Sequence, residues 1–501
     1  MWTWGRAQLA VTAACAASCV LGASGSGVAA EAAVRADLTA QYYDVLSPYG
    51  DPVMQRRRYT HTLDLDVADI DGDTSYRAPE LAFRTRLRLD ADFGQFGYER
   101  DPEALGRYAP GLEQAPFDVM VAYLEGRHYL GGAVGFRVGR QYQVDSLGWW
   151  SFDGALVRAD VPGVFGLEAY GGFEQRDTLG VLGTSRYEAD GVFRGNRDDL
   201  EQGEWPSYLE QSRLAPAYGG SVQTLGLSFV QARASYRKVL NRDDVLVSLF
   251  PDPDGAIRTI DDTRTSTERA GLALTLQHER LGSLDGEAVY DLFSRRLSEL
   301  QASLDWYASD ATTLGLRYDY WLPVFDGDSI FNWFGHTPSQ TGEVAAYTEI
   351  SPRADVALRA GVRVYGLALD PGESLDQDAR WVDELAALNA RYRWGQGELR
   401  FDADSQWGDT GHRVGGNLSA SRRFLEGYYD TLVVLSLYDF EDGLREERGT
   451  TSMGYVLGGG LSPEIERVLR SRLGLQWEHW YSQRDAHQFR VLLTLSVTEF
   501  P

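Results

Sequence analysis

Between Leu81 and Gly94 the chain reads LAFRTRLRLDADFG, and its side chains change character at every second position. Leu81, Phe83, Leu87, Leu89, Ala91 and Phe93, with Thr85, form one series; Arg84, Arg86, Arg88, Asp90 and Asp92 form the other. A two-residue period means a β-strand with one apolar and one charged face. In a soluble sandwich the apolar face meets a protein core. In a membrane barrel it meets lipid, and the charges face a water-filled interior.

The rest of the chain decides between them. Alternation of this kind recurs in about 22 segments, from Val34–Tyr43, Arg58–Ala68 and Glu80–Phe93 to Arg470–Tyr481 and His487–Thr498. Gly132–Tyr142, Ser151–Val161 and Gly220–Phe229 are among them. The connections after the third, seventh, ninth, thirteenth and fifteenth segments are long: Gly94–Pro116, Gln175–Gly219, Leu240–Thr265, Pro323–Thr341 and Ala368–Val382. All are odd, as expected when long loops gather at the outer end of a barrel and short turns at the inner end. The even connections Asp69–Pro79 and Ser462–Leu469 are nonetheless longer than a turn, and odd ones such as Gly408-Asp409-Thr410 are short. No blade or rung repeat points to a propeller or β-helix. The expectation is an all-β fold: a single transmembrane antiparallel β-barrel of about 22 strands (range 18–22), without an N-terminal plug domain.

Residues 1–30 carry one early Arg6, an apolar stretch, then small residues up to Val28-Ala29-Ala30. They read as a signal peptide, leaving 31–501 as the barrel. Both cysteines, Cys15 and Cys19, lie in that leader, so disulfides are not expected to stabilise the exported chain. The net charge of -25 argues against a nucleic-acid partner.

Signal, alternating strands and an aromatic-rich final strand together resemble the Gram-negative outer-membrane β-barrel porins. Within Phe136–Gly172, Gly139-Arg140-Gln141 and Phe152-Asp153-Gly154 are the pieces most similar to large porin-like proteins. The resemblance implies a bacterial outer-membrane channel whose partners are membrane lipid and lipopolysaccharide. The chain departs from the family at its end, where Phe500 is penultimate and out of phase with Phe489, Val491, Leu493, Leu495 and Val497 unless a bulge intervenes.

No serine-nucleophile elbow or His-Glu-x-x-His occurs, and His278 and His412 stand alone, so no enzyme is expected. Asp69, Asp71 and Asp73 have calcium-loop spacing, but Gly72 falls at the wrong position. A solvated acidic turn is the reading, with a metal loop as its alternative. No cofactor is implied, and without Cys-x-x-Cys-His the chain carries no c-type haem of its own.

Charge placement carries the functional expectation. Arg84, Arg86, Arg88, Asp90, Asp92, Arg359, Arg363, Arg391 and Arg393 are the candidate pore-lining residues, beneath acidic loop clusters such as Asp198-Asp199 and Glu446-Glu447. Two readings stay open: the arginines set an anion preference, or they pair with acids such as Asp90, Asp92, Asp402 and Asp404. A lumen this wide usually needs filling. Either long connections such as Gln175–Gly219, with Trp205, Tyr208 and Tyr218, fold inward, or a lumen-filling partner such as a periplasmic multihaem cytochrome occupies it. The aromatic run Phe325–Phe334 is a candidate partner contact. The principal reading is a channel for small hydrophilic or anionic solutes; the alternative is a sheath for electron transfer.

Overall fold

The computed structural model describes residues 31–46, 52–70, 78–92, 117–175, 215–241, 245–246, 259–260, 263–324, 337–369, 380–424, 429–442, 445–459, 469–481 and 485–499. They form β1 (Glu31–Leu46), β2 (Pro52–Ala68), β3 (Glu80–Asp92), β4 (Phe117–His128), β5 (Val134–Asp145), β6 (Gly148–Val161), β7 (Phe165–Glu174) and β8 (Pro216–Thr224). Next come β9 (Val230–Asn241), β10 (Val245–Leu246), β11 (Thr259–Ile260), β12 (Arg264–His278), β13 (Gly282–Asp291), β14 (Arg296–Ser309), β15 (Thr312–Trp321) and β16 (Ser339–Ser351). The last third supplies β17 (Ala354–Tyr365), β18 (Trp381–Trp394), β19 (Gly397–Gly408), β20 (Gly411–Phe424), β21 (Tyr429–Asp442), β22 (Arg445–Gly459), β23 (Leu469–Tyr481) and β24 (Asp485–Glu499).

Every strand except β10 and β11 belongs to one 22-stranded sheet in which each pairs with its chain neighbours, β9 with β12 across the β10–β11 ribbon. β1 pairs with β24 from Val34↔Glu499 to Tyr43↔Arg490, so the sheet closes and has no first or last edge. Closure matters because an open edge in hydrocarbon would leave backbone groups unsatisfied.

Cross-strand register turns the two-residue period into two surfaces. One row runs Leu284↔Leu304↔Leu316↔Val344↔Ala360 across five strands. Its neighbour runs Asp285↔Ser303↔Arg317↔Glu343↔Gly361. The apolar row is bare of protein contact: Leu316 is 55% and Val344 58% exposed. Apolar side chains arrayed outward around a closed barrel match hydrocarbon, whereas a lysine or arginine there costs about 2–4 kcal/mol at mid-bilayer. In the opening segment Leu87 faces Leu63 and Phe83 faces Val67 on the apolar side, while Arg84 and Arg86 face Asp66 and Asp64 on the other.

Two local expectations shift. The eighth strand ends at Thr224, not Phe229: Gly226 takes φ 74°, and 225–229 turns the chain into β9. Glu446-Glu447 are not loop residues but sit at the start of β22, which only 443–444 separate from β21. The long connections fall between β3 and β4, β7 and β8, β9 and β12, β15 and β16, and β17 and β18, all at one end of the barrel. The other end has short turns such as 162–164 and Gly395-Gln396.

Candidate functional site

The β5–β6 hairpin departs from the wall. β4 pairs with β5 only from Gly126↔Phe136 to Ala122↔Arg140, leaving Gln141–Asp145 without a β4 partner. On the other side β6 pairs with β7 only as far as Phe152↔Glu174. The bend begins at Gly139, whose φ of 129° is a conformation that suits glycine. A side chain there would also run into the Ala122 carbonyl. Just beyond, the Arg140 guanidinium grips the Asp153 carboxylate through two hydrogen bonds of 2.7 Å and donates to the Val119 carbonyl at 3.1 Å. The Gly139-Arg140-Gln141 and Phe152-Asp153-Gly154 pieces are therefore the two sides of one bend.

The freed tip lies on the inner surface of β7–β9 and β12. Gln143 donates to Glu168 on β7 at 2.9 Å, and Trp150 Nε1 donates to Glu174 at 2.8 Å. Arg237 on β9 donates to the Leu147 carbonyl at 2.8 Å and stacks on the Trp150 ring, 5.2 Å from its centroid. Ser146 and Leu147 fill the space that a Cβ on Gly271 of β12 would occupy. Trp150 stacks on Phe152 with centroids 4.4 Å apart, Tyr170 packs tilted against both at 5.4 and 5.6 Å, and with Leu156, Ala217 and Val239 they form a buried apolar cluster inside the barrel. Sequence alternation alone hid this: Trp150 and Phe152 occupy the lumen-facing register, where polar side chains are the rule. Two aromatics in that register are the signal that marked an inward-folded element.

Acidic hubs organise the surrounding wall. Glu125 receives Arg127 at 2.6 Å and Arg137 at 2.8 Å, with Arg84 3.8 Å away. Glu168 receives Gln143, Ser221 and Arg233. Around β12–β17 a hollow of about 580 Å³ is lined by Asp285, Glu287, Gln301, Ser303, Arg317, Asp319, Glu343 and Arg359, among others. None of these hubs stood out in the sequence, because most of their partners, such as Arg84 for Glu125 and Arg233 for Glu168, lie on other strands, distant along the chain.

The candidate pore residues do not converge on one site. Arg84 and Arg86 sit in the charged face of β3, 3.7 Å from Asp66 and 3.2 Å from Asp64. Arg88 shares that face and is buried. Arg391 and Arg393 meet Asp355 at 2.8 and 3.6 Å, and Arg393 also approaches Glu398. Arg363 donates to Thr341, and Arg359 borders the hollow. Among the described side chains, Arg84, Arg86, Arg391 and Arg393 pair with Asp64, Asp66, Glu125, Asp355 and Glu398, while the Asp90 and Asp92 side chains lie outside the described ones. Asp402 instead accepts from Asn389 at 2.6 Å. Asp90 and Asp92 lie on β3 opposite Thr60 and Arg58.

Several expectations fall outside the described residues: the leader, Asp71 and Asp73 of the acidic turn, Asp198-Asp199, Trp205 and Tyr208, Phe325–Phe334 and Phe500. Tyr218 belongs to β8, not to a loop, and is exposed. Tyr392 and Trp407, near strand ends, are exposed, and Tyr392 stacks on Trp394. Tyr320 is 2% exposed and so is not presented to a membrane interface. His278 Nδ1 accepts from the Arg280 and Leu281 amides, a turn-forming role.

A closed antiparallel wall, apolar outside and charged inside, leaves one class. The architecture is that of an outer-membrane β-barrel. Among solved structures the barrel is similar to a BenF-like porin from Pseudomonas fluorescens Pf-5 (TM-score 0.42, 8% identity, 94% of this chain and 99% of that one). It is also similar to OccAB4 of Acinetobacter baumannii (0.41, 8%, 94% and 98%) and to the outer membrane protein opdK of Pseudomonas aeruginosa (0.40, 10%, 94% and 99%). No protein-family model and no curated relative matches the chain.

Proposed function

We propose that the chain is a non-enzymatic channel of the bacterial outer membrane that passes small hydrophilic or anionic solutes, the candidate arginines lining its path. The observation that carries this reading is the β5–β6 hairpin. It lies against the inner wall through Arg237, Glu168 and the Trp150 cluster, and so narrows a lumen otherwise lined by charge. An inward element answers the width of a 22-stranded barrel from within the chain itself. It also occupies room that a cytochrome would need, which favours the pore over the sheath.

The test is single-channel recording of the purified, refolded protein in a planar bilayer. Stable ohmic steps with a reversal potential displaced toward anions support the reading. Insertion without conductance refutes it, and very large, noisy steps favour a sheath that has lost its partner.

A further inference from the structure

Among the described residues, the bend that sends β5–β6 inward also leaves a vacancy in the wall. Among the described residues nothing pairs with Phe117–Val121 of β4 on the side that β5 has left; the one group reaching that edge is the Arg140 guanidinium at the Val119 carbonyl. A bulge at Met120, where the β3 partners step from Arg86↔Val121 to Leu87↔Val119, bends β4 at the same level.

The height of this slit follows from strand geometry. Val134 to Arg140, rising 3.3 Å per residue at a tilt near 40°, climbs about 15 Å. The apolar band of such barrels is about 25 Å tall. The slit therefore opens within the outer part of the bilayer, not above it.

Its chemistry agrees. Arg140 and Asp153 stand in the outward register, one row above Val138↔Ala155, and Asp153 is 45% exposed. In an unbroken wall this pair would meet hydrocarbon. Above it the same register carries Tyr142, Val144 and Trp149, all exposed, with Tyr142 stacked on Trp149. The opposite face of the tip is pressed on the inner wall, so these three face the lumen side, where none of the described residues covers them. One apolar face thus runs from lipid-facing Val138 and Val157 over the charged bend into the barrel.

We propose that this slit is a lateral entrance through which a small amphipathic solute passes between the outer leaflet and the lumen, its apolar part on Tyr142, Val144 and Trp149. The proposal rests on the pore reading for where the solute goes next. Single cysteines at Val144, at Val157 in the lipid-facing wall and at Ser303 in the lumen, with Cys15 and Cys19 replaced by alanine, take a bimane label in the refolded full chain. Brominated lipid and aqueous iodide are the quenchers. At Val144 both quench; at Val157 lipid alone does, and at Ser303 iodide alone. A Val144 label quenched by one of them only, or by neither, overturns the entrance. In proteoliposomes Val144→Glu lowers octanoate flux several-fold and leaves acetate flux unchanged; an equal fall in both also overturns it. Bilayers without conductance remove the pore itself, whereas conductance with a lipid-inert Val144 label removes only the side entrance.

Discussion

Trp150→Ala tests whether the β5–β6 hairpin is held against the wall by the contacts described. Trp150 is 5% exposed and makes three kinds of contact with the wall or its own cluster: ring packing, stacked on Phe152 and tilted against Tyr170, a cation–π contact from Arg237, and a hydrogen bond to Glu174. Truncating a buried tryptophan costs about 3–5 kcal/mol. At about 1.4 kcal/mol per factor of ten, the ratio of undocked to docked hairpin rises by roughly two to three and a half decades. The barrel itself should survive, because β5 and β6 remain paired with β4 and β7 below the bend. Single-channel recording is the assay. The wild type gives one steady level, and the variant gives a larger open level with flicker between two states. Phe293→Ala, which alters an exposed residue outside the cluster, serves as control. A variant with wild-type conductance and noise refutes the docking argument, since a free hairpin cannot leave the lumen's cross-section unchanged.

Three further outcomes are expected. Gly139→Val places a branched side chain against the Ala122 carbonyl in a positive-φ backbone, a strain of about 1–3 kcal/mol, and lowers the refolded yield read by heat-modifiable mobility on gels. Glu125→Gln removes the charge that joins Arg84, Arg127 and Arg137, so the reversal potential moves further toward anions; no movement removes Glu125 from the ion path. Replacing Arg84, Arg86 and Arg88 together by serine moves it the opposite way, and an unchanged value shows that their acids already neutralise them.

The strand count and the order of long and short connections were legible because each depends on local information: a two-residue period and the turns that interrupt it. Leu81–Asp92 declares its two faces without reference to any other strand. The hairpin departure was not legible in that way. Gln141–Asp145 continue the alternation of β5, and in β6 only Trp150 and Phe152 in the lumen-facing register depart from it. Gly139 and the Arg140–Asp153 pair did leave a trace, as a stretch similar to other large barrels, but their purpose depends on Val119 and Ala122 of β4. Wall hubs such as Glu168 were invisible for the same reason: Arg233 lies 65 residues away along the chain.

The bend also explains why an arginine occurs in an outward register at all. Once β5 leaves β4, the Val119 carbonyl loses its ladder donor, and an unsatisfied backbone group within the bilayer costs several kcal/mol. A guanidinium can supply that donor while its remaining hydrogens grip Asp153, whereas lysine's compact ammonium lacks the planar fork for the bidentate grip. Its charge is tolerable only if water or headgroups reach the slit. Arg140→Lys should therefore keep the charge and lose the clamp, giving an inserted channel with a less stable conductance level. If Arg140→Lys behaves as wild type while Arg140→Leu does not, charge alone is what the bend requires, and the backbone-capping role fails.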